Sequence, residues 1–348
     1  MYFNWKDDTS TEELKIVCNL IKNGELVIFP TETVYGIGAN AYDATAVNKI
    51  FIAKGRPQDN PLIVHVATKQ QIDDITLSRT PVEQKLIDNF MPGPFTLILP
   101  KSDKIPDVVS SGLPTIGVRM PNNFIASAII ARSGVPIAAP SANISGKPSG
   151  TSVEDIRKEL EGKVSCIVDG GKTDIGIEST VVKVVNEVPI ILRPGKVSPE
   201  DIKKVIGKVE IDKNVFSKMA TGSSPESPGM KYKHYAPSTK CKLYYGPNEL
   251  DVLFEINKQI RISNFNAIVI GFKEHKSKVK NIPEENFISV ASKDNIEEYG
   301  KNIFSALRKA DKMKADIILI EGVEKQGLGL AIMNRLLRTC EFDYREFD

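Results

Sequence analysis

Between residue 11 and about residue 205, short apolar runs recur faster than helices can separate them. Leu26-Val-Ile-Phe29, Leu62-Ile-Val-His-Val66, Phe95-Thr-Leu-Ile-Leu99 and Thr115-Ile-Gly-Val-Arg119 each have the length of a buried strand. Pro136-Ile-Ala-Ala139, Cys166-Ile-Val168, Thr180-Val-Val-Lys-Val-Val185 and Pro189-Ile-Ile-Leu192 continue the series. Helical patterns lie between some of them. Leu14, Val17 and Ile21 share one face, residues 44–54 read as a helix, and Ser152 and Ser198-Pro199 open two more. Ser10 with Glu13, and Ser152 with Asp155, have capping-box spacing. Other strands follow one another with no room for a crossover helix. The pattern predicts an α/β region with a mixed sheet, not a simple βαβ repeat.

A second pattern starts at about residue 241. Lys242-Leu-Tyr-Tyr245, Ala267-Ile-Val-Ile270 and Ile317-Ile-Leu-Ile320 read as strands, and Ile296, Tyr299, Ile303, Phe304 and Leu307 form one helical face. This order predicts a smaller Rossmann-like domain. The stretch between, residues 206–239, contains Ala220-Thr-Gly-Ser-Ser-Pro-Glu-Ser-Pro-Gly229, which is linker composition. It then turns aromatic and basic in Met230-Lys-Tyr-Lys-His-Tyr-Ala-Pro237, more than a spacer needs. The expected organisation is residues 1–205, a linker at 206–239, and residues 240–348.

Charge narrows the function. The chain has 46 Lys and Arg against 44 Asp and Glu, and from Lys240 to Asp348 the balance is 18 to 17. Proteins that grip nucleic acid backbone carry a marked basic excess, so stable nucleic-acid binding is not expected. No apolar run reaches the roughly 18 residues of a membrane span. The start lacks the basic-then-apolar pattern of a signal peptide. The four cysteines are far apart, without a C-x-x-C, so a reduced cytoplasmic setting fits and a zinc site does not.

No complete nucleotide motif is present. Gly171-Lys-Thr173 has the tail of a P-loop with Cys166 where its first glycine belongs, and Gly327-Leu-Gly329 lacks the third glycine of the dinucleotide fingerprint. The chemistry is carried by polar loops that follow strands. Pro30-Thr-Glu-Thr-Val-Tyr-Gly-Ile-Gly38 offers hydroxyls and glycines, as a ligand loop or as a plain strand-to-helix turn. In Lys54-Gly-Arg-Pro57 two cations straddle a glycine, which suits a polyphosphate, although Lys54 alone could simply end a helix. His65, in an apolar strand, reads as a core histidine or as a site residue. Arg119 wants a carboxylate, from a ligand or from an internal Asp or Glu. Ala138-Ala-Pro-Ser-Ala-Asn-Ile-Ser-Gly-Lys-Pro-Ser-Gly-Thr-Ser152 alternates small polar residues before a helix start, a pattern suited to an anion nest. Together these loops point to a phosphorylated, carboxylate-bearing ligand handled by electrostatics.

The same segments, with Pro61-Leu-Ile-Val-His65, Pro92-Gly-Pro94, Gly117-Val-Arg-Met-Pro121, Pro140-Ser-Ala-Asn-Ile-Ser-Gly146, Ser179-Thr-Val-Val182 and Leu192-Arg-Pro-Gly195, resemble the Sua5/YrdC/YwlC family of threonylcarbamoyl-AMP synthases, in order. Ser227-Pro-Gly-Met-Lys-Tyr-Lys-His-Tyr-Ala-Pro237 resembles the linker of the longer, two-domain Sua5 form, and Gly327-Leu-Gly-Leu-Ala-Ile-Met-Asn-Arg-Leu336 the end of its C-terminal domain. The resemblance implies a YrdC-like twisted mixed sheet with a large concave cleft, plus the Rossmann-like domain. It implies condensation of L-threonine, bicarbonate and ATP, with Mg²⁺ held mainly by phosphates rather than by protein ligands. The product would go to a separate tRNA threonylcarbamoyl transferase that forms t6A. Carried over residue by residue, the catalytic set is Lys54, Arg56, Ser141 and Asn143. Threonine would meet Thr33, His65, Arg119, Ala139 and Ser179. ATP would meet Arg56, Asn60, Thr115, Ser141, Ser149, Arg193 and Tyr232, with the Tyr232 segment as a lid. Two other readings stand beside this: an RNA-binding or ribosome-associated module, and a carbamoyl-adenylate-forming relative.

Overall fold

The computed structural model describes residues 1–217, 225, 235–263 and 266–347. It divides into two compact units, Met1–Ser145 with Ser149–Lys231, and Gly146–Pro148 with Tyr232–Asp348.

In chain order, the first unit has strands β1 (Tyr2–Asn4), β2 (Val27–Phe29), β3 (Gly36–Asn40), β4 (Ile63–His65), β5 (Phe95–Pro100), β6 (Thr115–Arg119), β7 (Ile137–Ala138), β8 (Cys166–Asp169), β9 (Thr180–Val185), β10 (Val188–Arg193) and β11 (Glu210–Ile211). Its helices are α1 (Thr11–Lys22), α2 (Ala44–Lys54), α3 (Lys69–Ile75), α4 (Pro81–Phe90), α5 (Asp107–Ser110), α6 (Phe124–Ser133), α7 (Val153–Leu160) and α8 (Pro199–Ile206). The strands form a sheet of order β1-β8-β2-β3-β7-β4-β6-β5-β9-β10-β11. Pairing is mixed: β4 with β6 and β5 with β9 run parallel, whereas β2 with β3, β4 with β7 and β5 with β6 run antiparallel. Two large apolar clusters lie in the unit, one around Ile28, Tyr35, Val64, Leu97 and Val118, the other around Val17, Ile21, Phe29 and Ile129, with a small one of Ile98, Val181 and Leu192.

Local signals were realised unevenly. Ser198 and Asp201 form a full capping box at α8. Ser10 accepts from the Glu13 amide, but the Glu13 carboxylate is taken by the Trp5 indole at 2.6 Å, so that box is only half formed. The Ser152 hydroxyl caps no backbone amide and turns to the Asp155 carboxylate. The loop after Phe29 leads into a strand rather than a helix. Gly36–Asn40 pairs antiparallel with β2 and, at Ala39 and Asn40, with β7. Its glycines hide a strand that only its neighbours reveal.

The second unit contains β12 (Lys240–Tyr245), α9 (Glu249–Ser263), β13 (Ala267–Phe272), β14 (Phe287–Ala291), α10 (Ile296–Lys312), β15 (Ile317–Glu321), α11 (Leu328–Thr339) and β16 (Tyr344–Glu346). Its five strands are all parallel, in the order β14-β13-β15-β12-β16. Of the helical face read from Ile296, Tyr299, Ile303, Phe304 and Leu307, the last four are buried on α10 and Ile296 is half-buried. β14 and β16 lie outside the runs read as strands, and β16 is fully exposed, with no apolar period to announce it. Among the described residues, no helix is long and apolar enough to cross a membrane.

Candidate active site

Strand register builds the centre of the site. His65 pairs with Arg119 across β4 and β6. Leu97 pairs with Val118 across β5 and β6, so Thr96 falls opposite Arg119 on its other side. Cross-strand partners share a face, which brings His65, Arg119 and Thr96 into one row. Thr96 shares a hydrogen bond of 2.8 Å with the Ser179 hydroxyl. Arg193, at the end of β10, donates to both the Ser179 carbonyl and hydroxyl at 3.1 Å. Gly195 lets this corner close, because a Cβ there would stand 2.3 Å from the Thr180 nitrogen.

The glycine-rich loops are sewn onto this row by backbone bonds. Gly176 and Ile175 donate to the carbonyls of Thr33 and Glu32, and Ala142 donates to Tyr35. Ser141 bridges to Gly36, and Ala139 donates to Ile63 in the His65 strand. Thr31 and Thr33 share a hydroxyl hydrogen bond of 2.8 Å. Glu178 holds the Ser149 hydroxyl beside Ser179.

The two cations of the Lys-x-Arg segment are fixed by carbonyls. Lys54 is 1% exposed, and its ammonium donates to the carbonyls of Ser141 at 2.6 Å and Asn143 at 2.5 Å. Its function is therefore more than ending α2; the left-handed Gly55 (φ 59°) caps that helix and turns the chain onward. The Ser141 hydroxyl donates to the Asn143 side-chain oxygen at 2.6 Å. The Arg56 fork donates to the carbonyls of Asn60 and Pro61 at 3.0–3.2 Å. Carbonyls hold these cations in place.

Several buried groups in the central row are not satisfied. Arg119 lies 2.8 Å from Glu32, yet the contact falls outside hydrogen-bond geometry, so Arg119 Nη2 and both Glu32 oxygens have no hydrogen-bond partner. His65 Nδ1 and Asn60 Oδ1 are likewise buried and unpaired. Burial, and secondarily the Arg119 charge, push the His65 pKa down to about 3, so its imidazole is neutral at neutral pH. A buried polar atom without a hydrogen bond costs about 1–3 kcal/mol, and several among the site residues mark a place built to receive polar groups.

Of the residues expected at the site, His65, Arg119, Ser179 and Arg193 form one connected row. Lys54, Ser141 and Asn143 form a second group, and Arg56 with Asn60 a third. Thr33, Ala139 and Ser149 join these groups through the loops. Thr115 starts β6, four residues before Arg119 on the same strand face, or about 13 Å away at strand rise. Tyr232 and most of the proposed lid lie outside the described residues. The sequence reading missed three participants: Glu32, Thr96 and Glu178. The two glutamates had a signal, as buried carboxylates in otherwise small-residue loops. Thr96 had none, because its role depends on register. Among the described residues, no group of three His, Cys, Asp or Glu could hold a metal ion.

Comparison with known proteins identifies the family. A family model described as telomere recombination matches residues 19–195, and one described as the threonylcarbamoyl-AMP synthase C-terminal domain matches residues 197–340. The threonylcarbamoyl-AMP synthase of Pyrococcus abyssi is 45% identical over 333 residues, 95% of this chain and 94% of that one. That of Bacillus subtilis is 41% identical over 338 residues, 96% of this chain and 95% of that one. The crystal structure of P. abyssi Sua5 complexed with L-threonine matches with a TM-score of 0.93 at 42% identity, covering 100% of both chains. With one domain model following the other and relatives alike over nearly their full length, the chain belongs to the Sua5/YrdC/YwlC family in its two-domain form.

Proposed function

We propose that the chain is a threonylcarbamoyl-AMP synthase, an ATP-using nucleotidyltransferase that condenses L-threonine, bicarbonate and ATP to threonylcarbamoyl-AMP, pyrophosphate and water. The observation that carries the residue-level reading is Arg119: a buried guanidinium beside a neutral histidine, with Nη2 already 2.8 Å from the Glu32 carboxylate but without a hydrogen bond. That is a receptor for a small carboxylate. Threonine would place its carboxylate on Arg119 and its hydroxyl and amine among Thr33, His65, Ala139 and Ser179. The amine attacks the bicarbonate carbon, water leaves, and a carbamate forms. A carbamate oxygen then attacks the α-phosphorus, and pyrophosphate leaves.

Lys54 and Arg56 would stabilise charge as it grows on the phosphates, since fixed cations need not reorganise during the reaction. Ser141 and Asn143, whose carbonyls the Lys54 ammonium ties together, would line the same phosphate group. Asn60, Thr115, Ser149 and Arg193 complete the proposed ATP contacts, with Tyr232 as the lid residue. A Mg²⁺ ion accompanying ATP would be held mainly by phosphate oxygens. The product would pass to a separate transferase that places the threonylcarbamoyl group on tRNA. The test is incubation with ATP, threonine and ¹³C-bicarbonate followed by mass spectrometry. Labelled threonylcarbamoyl-AMP is expected; its absence from folded protein would contradict the proposal.

A further inference from the structure

A cavity of about 430 Å³ opens in the second unit, at the C-terminal edge of its parallel sheet. It lies where β12 and β15 stand side by side. From β12 the chain runs through α9 to β13, beyond β15; from β15 it runs through α11 to β16, beyond β12. The two connections leave this pair in opposite directions. In open α/β sheets that is where ligands bind, outside the carboxyl ends of the strands.

The inner side of the cavity is a finished charge network. The His275 imidazole bonds Glu321 at 2.7 Å and Glu249 at 3.2 Å, and Lys278 and Lys293 also reach Glu249. His275 and Glu321 are buried. These groups satisfy one another and give the cavity a rigid floor. The walls are apolar and partly aromatic: Tyr245, Pro247, Phe272, Ile296 and Val323. The outer side differs. Glu324 and Gln326 line it and are exposed, and among the described residues the Glu324 carboxylate and the Gln326 amide have no partner.

The volume is near the low end of the roughly 300–1,000 Å³ range of small-molecule sites, which suits one nucleoside and not a dinucleotide. Two aromatic rings suit a flat apolar body. A free carboxylate at the mouth of such a crevice is an acceptor suited to ribose hydroxyls. The same carboxylate opposes a string of phosphates. We infer that this cavity binds a purine ribonucleoside, with its base against the Tyr245 and Phe272 walls and its 2′- and 3′-hydroxyls donated to Glu324. The inference goes beyond the synthase reading and does not depend on it.

Photolabelling of the full chain with 8-azidoadenosine, followed by peptide mapping, tests it. Label is expected in peptides containing residues 245–252, 272–275 or 322–329, whatever is labelled in residues 30–195. Glu324→Gln, a change at an exposed position, should lower that label about tenfold, the size of one lost hydrogen bond to a charged group, and leave label elsewhere unchanged. Adenosine should compete and 2′-deoxyadenosine should compete poorly. Label confined to residues 30–195, label indifferent to Glu324→Gln, or equal competition by the two nucleosides would overturn the assignment.

Discussion

Each unit buries a histidine against charged neighbours, and the two are tuned in opposite directions. His65 is neutral because burial and the Arg119 charge oppose its protonation. His275 has its pKa raised, first by its hydrogen bond to Glu321 and then by Glu249, against the cost of burial. The difference extends to their surroundings. Around His275 the charges of Glu249, Glu321, Lys278 and Lys293 are tied into one hydrogen-bonded network. Around His65, Arg119 stands 2.8 Å from Glu32, yet Arg119 Nη2, both Glu32 carboxylate oxygens, Asn60 Oδ1 and His65 Nδ1 are left without hydrogen bonds. A satisfied network shapes a unit; an unsatisfied one is held open for chemistry by the rest of the fold.

Substitutions can break this contrast. Arg119→Ala is expected to have the largest effect, lowering kcat/KM for threonine by about 10⁴, the scale on which a site loses a ligand whose polar group it no longer pairs. Steady-state kinetics would measure it, and a loss below tenfold would remove Arg119 from threonine recognition. Arg56→Ala comes next, lowering turnover by about 10²–10³, the usual result of removing one preorganised donor. Near-normal turnover in that variant would take Arg56 out of the mechanism. His275→Gln should leave the synthase rate of folded protein unchanged and instead destabilise the second unit by about 3 kcal/mol, because the buried Glu321 carboxylate loses its charged partner. Denaturant unfolding reads this directly, and a synthase defect without a stability change would reverse the roles given to the two units.

The smallest effect is on pH dependence, and its sign separates the histidines. The folded pKa of His65 lies at about 3, below its unfolded value of about 6.5. As pH falls below 6.5, the unfolded chain takes up a proton that the folded chain refuses. Stability therefore drops, by about 1 kcal/mol between pH 6 and pH 5. His275 works the other way. Its contribution is complete below the unfolded value and is lost as pH rises through its raised folded value. Unfolding of His65→Asn and His275→Gln across pH 5–8 should flatten these opposed slopes one at a time. Slopes of the same sign would contradict the assignment.

The sequence carried the fold class and most of the strands because they are apolar runs of strand length, and it carried α10 because its apolar face keeps the helical period. It concealed β3, whose Gly36-Ile-Gly38 looks like a turn until β2 and β7 are placed beside it. At the site, residue types were legible and connections were not. Lys54 could be read as a helix-ending cation or as a phosphate ligand. Only the folded chain shows its ammonium tying together the carbonyls of Ser141 and Asn143, more than 80 residues away. Arg119 wanted a carboxylate, and Glu32 stands next to it, but Thr96 on its flank follows from strand order alone. Such meetings are set by long-range register, and local patterns do not encode it.

The most direct test of the central claim is pyrophosphate release from ATP, measured with and without threonine and with and without bicarbonate. The account predicts rapid release only when both are present, and its near-complete loss in Arg119→Ala. Release of pyrophosphate at the same rate without threonine, or release that Arg119→Ala leaves intact, would contradict it.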